Sequence, residues 1–272
     1  MVIRTQTKVK PFLSWVETKY TFLPELLKRI PATYGTYHEP FLGSGALYFE
    51  LNPERAVLSD INNELINTYR WVREDPEGIF RSVEKHINEV EYYSKIKAQS
   101  PFLMTSEDRA ARFIYLNRTS KYLVYRENEY GEFDVPYGHL SRARSLELDN
   151  LNTISEMLFK EVYLHHFSFE MVKEYVHSGD FVYMDPPHQP AIGNATPDRF
   201  TFADQKIAAS VFRDLDKLGC RVMLTNSDLL CIEELYRGYN IERAEIIKLV
   251  PEGTKFKPVV YSELIVRNYS NA

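Results

Sequence analysis

Apolar positions recur along the chain with two different periods, and these predict helices and strands in alternation. The first predicted helix stops at Pro31 and carries on one face the apolar residues Phe22, Leu23, Leu26, Leu27 and Ile30. Strands are predicted over 34–42 and 56–60, and helices over 46–51 and 62–72. This arrangement is typical of a β-turn-α-β unit.

Helical spacing then continues from 76 to 117 with no strand alternation. The stretch 122–135 alternates apolar and polar residues around a glycine-containing turn, which predicts a β-hairpin. We interpret 66–155 as an inserted, mostly helical subdomain. The parts on either side of it, 1–65 and 156–272, are predicted to form one domain together.

The second part of the chain again alternates strands with helices. Strands are predicted over 161–165, 180–184, 220–225, 241–249 and 261–268, with helices over 170–176, 203–218 and 229–236. Such alternation favours a largely parallel sheet, and the short connection between the last two strands favours an antiparallel pair. The predicted fold is therefore α/β, with a mostly parallel mixed sheet and helices on both faces.

Composition excludes several classes of protein. The chain has 272 residues, is 44% hydrophobic and contains 16 Phe and 19 Tyr, which is enough for a full core. No apolar run approaches the roughly 18 residues that span a bilayer, and no apolar segment follows the basic start, so we expect a cytoplasmic protein. Cys220 and Cys231 are too few for a disulfide framework or a zinc cluster.

The net charge of −5 gives no global attraction for nucleic acid, so charge must be examined locally. Seven basic residues and four acidic ones lie between Arg109 and Arg144, a local excess of three positive charges. Such a segment is consistent with an ordinary solvated face or with phosphate contacts.

Two motifs carry candidate chemistry. Gly43-Ser44-Gly45 lies between a predicted strand and helix, and Asp60 ends the next predicted strand, where a carboxylate can accept hydrogen bonds from a ribose diol. The motif is also consistent with a purely structural turn. Asp185-Pro186-Pro187-His188 follows another predicted strand, and the prolines would hold the Asp185 carboxyl and the Pro186 carbonyl stiffly at the sheet edge that binds ligands.

In this order, the motifs resemble the Dam-like, alpha-class N6-adenine DNA methyltransferases, which use S-adenosylmethionine. That family has Trp-x-Gly-Gly-Lys, Pro-Phe-x-Gly-x-Gly, Asp-x-Asn, a target-recognition insertion and Asp-Pro-Pro-Tyr. The matching segments here are 11–19, 39–47, Asp60-Ile61-Asn62, 116–138 and 179–188. The resemblance implies a class I methyltransferase fold of the Rossmann-like type, with 66–155 as the DNA-recognition subdomain.

The resemblance also implies roles for single residues. Those expected at the reacting adenine are Asp185, Pro186, Pro187 and His188. Those expected at the cofactor are Trp15, Lys19, Glu39, Phe41, Gly43, Gly45, Asp60, Ser168, Phe169 and Asp185. Those expected at DNA are Arg118, Lys121, Tyr122, Arg126, Pro136, Lys255 and Lys257. The implied partners are double-stranded DNA, with its target base flipped out of the stack, and, without direct contact, a restriction endonuclease system; no metal is expected.

This sequence departs from the family pattern in functional loops. Glu17-Thr18 replaces the two glycines before Lys19, which places a carboxylate near the expected cofactor carboxylate and should weaken cofactor binding. Lys121-Tyr122-Leu123 replaces an aromatic-Asn-Gly segment, and His188 replaces the stacking tyrosine. Two functions therefore stay open: an active adenine methyltransferase, and a catalytically impaired relative that binds DNA or a partner.

Two further classes of enzyme are disfavoured. A dinucleotide oxidoreductase would require a third glycine in the turn. A metal hydrolase would require a second histidine at ligand spacing, whereas the adjacent His165 and His166 point to opposite faces of a predicted strand.

Overall fold

The computed structural model describes residues 9–13, 21–121, 126, 128, 132–138, 146–188, 200–252 and 255–270, with the backbone alone described for 246–258. Its α-helices are α1 Leu23–Leu27, α2 Ala46–Leu51, α3 Asn63–Glu74, α4 Pro76–Glu84, α5 Val90–Lys97, α6 Ser106–Thr119, α7 Leu148–Leu158, α8 Phe202–Lys217 and α9 Leu230–Leu235. Its strands are β1 Tyr37–Glu39, β2 Arg55–Asp60, β3 Glu161–His166, β4 Phe181–Met184, β5 Arg221–Ser227, β6 Asn240–Glu252 and β7 Lys255–Arg267.

The chain divides into two compact units. The first comprises Met1–Lys19, Gly43–Glu54 and Asn62–His166, and the second comprises Tyr20–Leu42, Arg55–Ile61 and Phe167–Ala272. The chain therefore crosses between units several times.

The first unit is mostly helical. Its central helix, α6, packs against α3, α4 and α5, and Phe113, Ile114 and Leu116 on it are at most 1% exposed. Side chains cap the starts of three helices: Asn62 accepts from the N–H of Leu65, Asp75 from Gly78, and Thr105 from Asp108. Within the predicted helical stretch 76–117, the Thr105 cap marks the start of α6 as a separate helix.

In the sheet, the strands of the second unit follow the order β2-β1-β4-β5-β7-β6. The first four of these are parallel to one another, and β7 is antiparallel to both β5 and β6. Helices α8 and α9 contribute Phe212, Leu215 and Ile232 to a core that also contains β4, β5 and β7. The predicted mixed α/β sheet, including its antiparallel end, is confirmed.

Two elements differ from the predictions in extent or type. Strand β1 covers only Tyr37–Glu39 of the predicted 34–42, because Pro40 has no N–H to continue the ladder. The predicted helix at 170–176 is a 3₁₀ helix, Phe169–Glu174. The predicted hairpin over 122–135 lies partly outside the described residues; among those described, the N–H of Asp134 donates to the carbonyl of Arg126 at 2.8 Å.

Among the described residues, no helix combines the length and the apolar character that crossing a membrane requires.

Candidate active site

Three carboxylates follow neighbouring parallel strands in the second unit. Glu39 ends β1, Asp60 ends β2 and Asp185 directly follows β4. Because β2, β1 and β4 are adjacent and parallel, their carboxyl ends lie at the same edge of the sheet. This is the edge at which open α/β sheets bind ligands. The structure thus brings together carboxylates that are 21 and 125 positions apart in sequence.

Glu39 is buried, with 3% of its surface exposed, and its Oε2 accepts a 2.8 Å hydrogen bond from the hydroxyl of Tyr37. Burial, and then the adjacent Glu39, raise the pKa of Tyr37 well above its ordinary value. The Tyr37 hydroxyl therefore keeps its proton at neutral pH and donates it to Glu39.

Asp185 is fixed from the neighbouring strand. The Thr225 hydroxyl, on β5, lies 2.6 Å from its Oδ1, and the Tyr183 hydroxyl lies 2.9 Å from Thr225 Oγ1. Burial, and then the charges of Asp185, Glu39 and Glu263, keep the pKa of Tyr183 well above its ordinary value. The site is therefore strongly acidic in character.

His188 lies beside two of these carboxylates. Its Nε2 is 3.7 Å from Asp185 Oδ1 and 4.0 Å from Oε2 of Glu263, which is buried on β7. At these distances the imidazole contacts the carboxylates without forming short hydrogen bonds. A side chain in this position can carry a positive charge or present a flat ring.

The proline segment is anchored by buried amides. The carbonyl of Pro187 accepts a 2.8 Å hydrogen bond from Nε2 of Gln205 on α8, and Asn226 Nδ2 donates to Gln205 Oε1 at 2.8 Å. Gln205 and Asn226 are fully buried. The loop that carries Asp185 is therefore held to both α8 and β5, as expected for a rigid binding element.

An aromatic cluster lies in the same unit. Phe41 stacks on Phe169 with ring centroids 4.9 Å apart and an interplanar angle of 25°. Phe200 packs with its edge against Phe41 at 5.9 Å. Ser168 precedes the 3₁₀ helix that presents Phe169. Rings in such a cluster offer an apolar surface for a flat ligand.

The glycine turn belongs to the first unit. Gly43 and Gly45 have φ angles of 48° and 63°, in the left-handed region that favours glycine. Gly45 precedes α2, and the carbonyl of Gly43 accepts a 3.0 Å hydrogen bond from the buried hydroxyl of Tyr69. The predicted turn is confirmed, and its geometry explains why both positions are glycine.

The residues expected at DNA have different environments within the first unit. Arg126, Lys121 and Pro136 are exposed, and the N–H of Lys121 donates to the Pro136 carbonyl at 2.8 Å. Arg126 Nη2 donates to the carbonyl of Asp134 at 3.0 Å. Arg118 is half-buried at the end of α6 and donates to the carbonyl of Phe12 at 2.9 Å. Arg126 and Lys121 are thus placed for an outside partner.

The local basic excess is only partly a surface feature. Arg112 is 4% exposed and donates to the carbonyls of Ile96 and Lys97, and Arg109 pairs with Glu64. Arg112 therefore holds α5 to α6 and is not available for phosphate. The charge count along the sequence did not distinguish such internal arginines from surface ones.

Several expected residues cannot be placed. Trp15, Lys19 and Tyr122, together with the substituted Glu17-Thr18 pair, lie outside the described residues. Lys255 and Lys257 lie on the backbone of β7, where side chains are not described. Their assigned roles stay predictions.

Sequence reasoning missed four side chains that complete the site: Tyr37, Tyr183, Thr225 and Glu263. A local motif marks none of them. Thr225-Asn226-Ser227 did carry a usable signal, because polar residues ending a buried strand at the ligand-binding edge are candidates for contact with the neighbouring loop.

Among the described residues, no group of three or more His, Cys, Asp or Glu side chains is able to hold a metal ion. Cys220 and Cys231 are free thiols, and burial, with the adjacent Asp180, raises the pKa of Cys220 to about 11. The Cys220 thiol is therefore unreactive at neutral pH.

Comparison with known proteins identifies the class. The family described as D12 class N6 adenine-specific DNA methyltransferase matches residues 15–248. The type II methyltransferase M1.LlaDCHI of Lactococcus lactis subsp. cremoris is 33% identical over 98% of both chains. M.MjaIII of Methanocaldococcus jannaschii is 32% identical over 96% of this chain and all of that one. The DNA adenine methylase of Haemophilus influenzae is 26% identical over 97% of this chain and 95% of that one.

The chain therefore belongs to the D12 class N6 adenine-specific DNA methyltransferase family, and it is a site-specific DNA adenine methyltransferase. Among solved structures, the C-terminal domain of precorrin-6Y C5,15-methyltransferase from Rhodobacter capsulatus aligns with 96% of this chain and 98% of that one. The TM-score of this pair is 0.45, and the two sequences are 11% identical.

Proposed function

We propose that the sheet edge carrying Glu39, Asp60 and Asp185 binds S-adenosylmethionine and transfers its methyl group to N6 of an adenine flipped out of duplex DNA. The observation that carries this proposal is the convergence of three carboxylates on adjacent parallel strands of one sheet. S-adenosylmethionine, a sulfonium, supplies the electrophilic methyl group.

The side chains at this edge fit such a cofactor. A ribose diol donates hydrogen bonds, and Asp60, at the end of β2, is an acceptor of the right kind. The carboxylates of Asp185 and Glu263 would stabilise a sulfonium cation bound at this edge. Phe41 and Phe169 are in direct ring contact, so the adenine ring of the cofactor would pack on the outer face of Phe169 instead of between the two rings.

The loop that carries Asp185 binds the exocyclic amine of the target adenine. Asp185 and the Pro186 carbonyl each accept a hydrogen bond from N6, which draws the nitrogen lone pair out of conjugation with the ring. Transfer is direct, so orientation and electrostatics carry the rate. Moving the base out of the stack costs a few kcal/mol, which stacking against the ring of His188 offsets.

In this proposal, most of the DNA contacts come from the first unit. The insertion at 66–155 acts as the target-recognition subdomain, and exposed Arg126 contacts a guanine while Lys121 and Pro136 contact the duplex beside it. Arg118, Tyr122, Lys255 and Lys257 are further proposed DNA contacts. Because two of the relatives are type II methyltransferases by name, we infer a restriction endonuclease system as the biological partner, without direct contact, in the cytoplasm.

Label transfer tests the proposal. The protein is incubated with tritiated S-adenosylmethionine and adenine-containing duplex DNA, and label in the DNA is counted. We expect transfer by the unaltered protein and a loss of at least about 100-fold in Asp185→Ala. Asp214→Ala on the surface of α8 is the matched control and should transfer normally.

The same samples distinguish activity from binding alone. Calorimetry with S-adenosylhomocysteine should show binding by both the unaltered protein and Asp214→Ala. If DNA binds but no label exceeds a blank without protein, and no cofactor binding is seen, the chain is the impaired binding protein and the proposal is wrong.

A further inference from the structure

We propose that Thr225 is a positioning residue that orients the Asp185 carboxylate toward the target amine, and that Tyr183 orients Thr225 in turn. The inference rests on the proposed function, because it assigns Asp185 to the amine. It concerns side chains of β4 and β5 that contact Asp185 directly or through one intermediate hydroxyl.

The direction of the hydrogen bonds follows from counting protons. Thr225 Oγ1 donates to Asp185 Oδ1 at 2.6 Å, and it lies 2.9 Å from the Tyr183 hydroxyl oxygen. A threonine hydroxyl has one proton, so after donating to Asp185 it can only accept from Tyr183. The two bonds therefore run in series from Tyr183 through Thr225 to the carboxylate.

Strand register produces this arrangement. On the parallel strands β4 and β5, Tyr183 pairs with Met223 and Met184 pairs with Leu224. The next position places Asp185 beside Thr225. A hydroxyl at this point of β5 is thus directed at the first residue of the proline loop, although 40 positions separate the two in sequence.

Burial keeps water away from the two hydrogen bonds that link Tyr183, Thr225 and Asp185. Thr225 is fully buried and Tyr183 is 1% exposed, so bulk water cannot replace either hydroxyl. The Asp185 side chain is 19% exposed. One end of the carboxylate is therefore bound inside the protein, while the group as a whole still reaches the surface where a substrate arrives.

A carboxylate has about four lone-pair directions, and a bond to one of them selects the rotation of the whole group. In a direct transfer, a displacement of about 1 Å at the reacting atoms costs about 100-fold in rate. Loss of the Thr225 hydroxyl should therefore lower the rate of transfer while leaving the binding of both substrates in place.

The test compares four variants in single-turnover methyl transfer at saturating S-adenosylmethionine and DNA. We expect Thr225→Val to lower the rate about 10- to 100-fold and Thr225→Ser, which keeps the donor, to restore most of it. Tyr183→Phe should lower the rate less, since Thr225 still has its proton. Thr68→Val is the control: its buried hydroxyl donates to the Glu64 carbonyl within α3, and transfer should be unchanged.

Binding measurements separate positioning from a structural role. S-adenosylhomocysteine affinity by calorimetry and DNA affinity by fluorescence anisotropy should stay within about twofold in Thr225→Val, because only the reacting group moves. A rate equal to the unaltered protein in Thr225→Val, or an equal loss in Thr225→Ser, overturns the inference. If Thr225→Val does not fold, an unchanged rate in Tyr183→Phe together with a slow Thr225→Ser overturns it.

The outcome is distinguishable from failure of the proposed function. If Asp185→Ala transfers methyl groups normally, the assignment of Asp185 is wrong and the positioning role falls with it. If Asp185→Ala is inactive while Thr225→Val is normal, only the positioning role is wrong.

Discussion

The hydroxyl of Tyr37 donates a hydrogen bond of 2.8 Å to Oε2 of Glu39, two residues further along β1. Residues two apart on a strand share a face, so a short strand supplies both the buried carboxylate and its donor. Both side chains are buried. The edge at which the cofactor is proposed to bind thus depends on a tyrosine that does not itself reach that edge.

Tyr37→Phe should therefore destabilise the protein. Removing the donor leaves a buried carboxylate with one hydrogen bond fewer, a loss of about 1 to 3 kcal/mol in the free energy of unfolding. Urea unfolding followed by circular dichroism measures the change. Tyr163→Phe, where the ring is 55% exposed, serves as the control and should be neutral. Equal stability of the two variants would contradict the account of Glu39.

Stability should also fall as the pH is lowered from 7 toward 5, through His38. Its Nε2 lies 2.9 Å from Asp180 Oδ2, but burial outweighs that carboxylate and lowers the pKa of His38 below its usual value. Because the pKa of His38 is lower in the folded protein, the unfolded chain binds the proton first as the pH falls. Stability is therefore lost as the pH falls through the pKa that the histidine has in the unfolded chain. The loss is at most about 1.4 kcal/mol per pH unit for one proton.

His38→Asn should flatten this pH dependence of the unfolding free energy between pH 7 and 5. His166→Asn, at an exposed position on β3, is the matched control and should leave the slope unchanged. Identical slopes in the unaltered protein and His38→Asn would rule out His38 as a contributor.

Asp180 should cause a further loss of stability at more acidic pH. Burial acts to raise its pKa, but hydrogen bonds from the N–H groups of Thr36 and His177, and from His38, lower it overall. The contribution of Asp180 to the free energy of unfolding is fully present above the pKa that this carboxyl has in the unfolded chain. It disappears as the pH falls through the lower pKa of the folded protein. Asp180→Asn should remove this part of the acid sensitivity below about pH 4, measured by the same urea series.

His188→Tyr should raise turnover. His188 lies beside Asp185 at the last position of the Asp-Pro-Pro-Tyr pattern that the sequence resembles, and a larger ring should hold a flipped adenine better. Stacking of a base on an aromatic side chain is worth about 1 to 3 kcal/mol. The expected gain appears in kcat, and in kcat/KM for DNA, at constant S-adenosylmethionine. An unchanged or lower value would count against the proposed base pocket.

Arg126→Ala should relax sequence specificity at one base pair. An arginine contact to guanine contributes about 1 to 3 kcal/mol of discrimination, and Arg126 is exposed, with its Nη2 held by the Asp134 carbonyl. Sequencing that detects N6-methyladenine in treated genomic DNA reveals the methylated sites and their flanking bases. Arg81→Ala, on the exposed face of α4, should leave the pattern as it is. Unaltered specificity in Arg126→Ala would show that another residue reads this base pair.

The sequence predicted the mixed α/β fold of the sheet, because the alternation of strands and helices is a local pattern. Apolar strands ending at Glu39, Asp60 and Asp185 are visible in the order of residues, and glycine and proline mark the loops that follow them. The limits of β1 were overestimated, since apolar residues on either side of Pro40 continue the pattern after the hydrogen-bonded ladder has ended.

Side chains that act across the sheet could not be predicted in this way. Thr225 reaches Asp185 from the next strand, and Glu263 approaches His188 from β7. Their positions depend on strand order and register, which a single sequence does not reveal. The burial of Arg112 between α5 and α6 could not be predicted for the same reason, because it depends on how the helices pack.

The nature of the methylated base tests the central claim most directly. Duplex DNA incubated with the protein and S-adenosylmethionine is digested to nucleosides, which are separated and identified by mass spectrometry. The account predicts N6-methyl-2′-deoxyadenosine with the unaltered protein and none with Asp185→Ala. A methyl group on cytosine, or N6-methyl-2′-deoxyadenosine in equal amounts from both proteins, would contradict it.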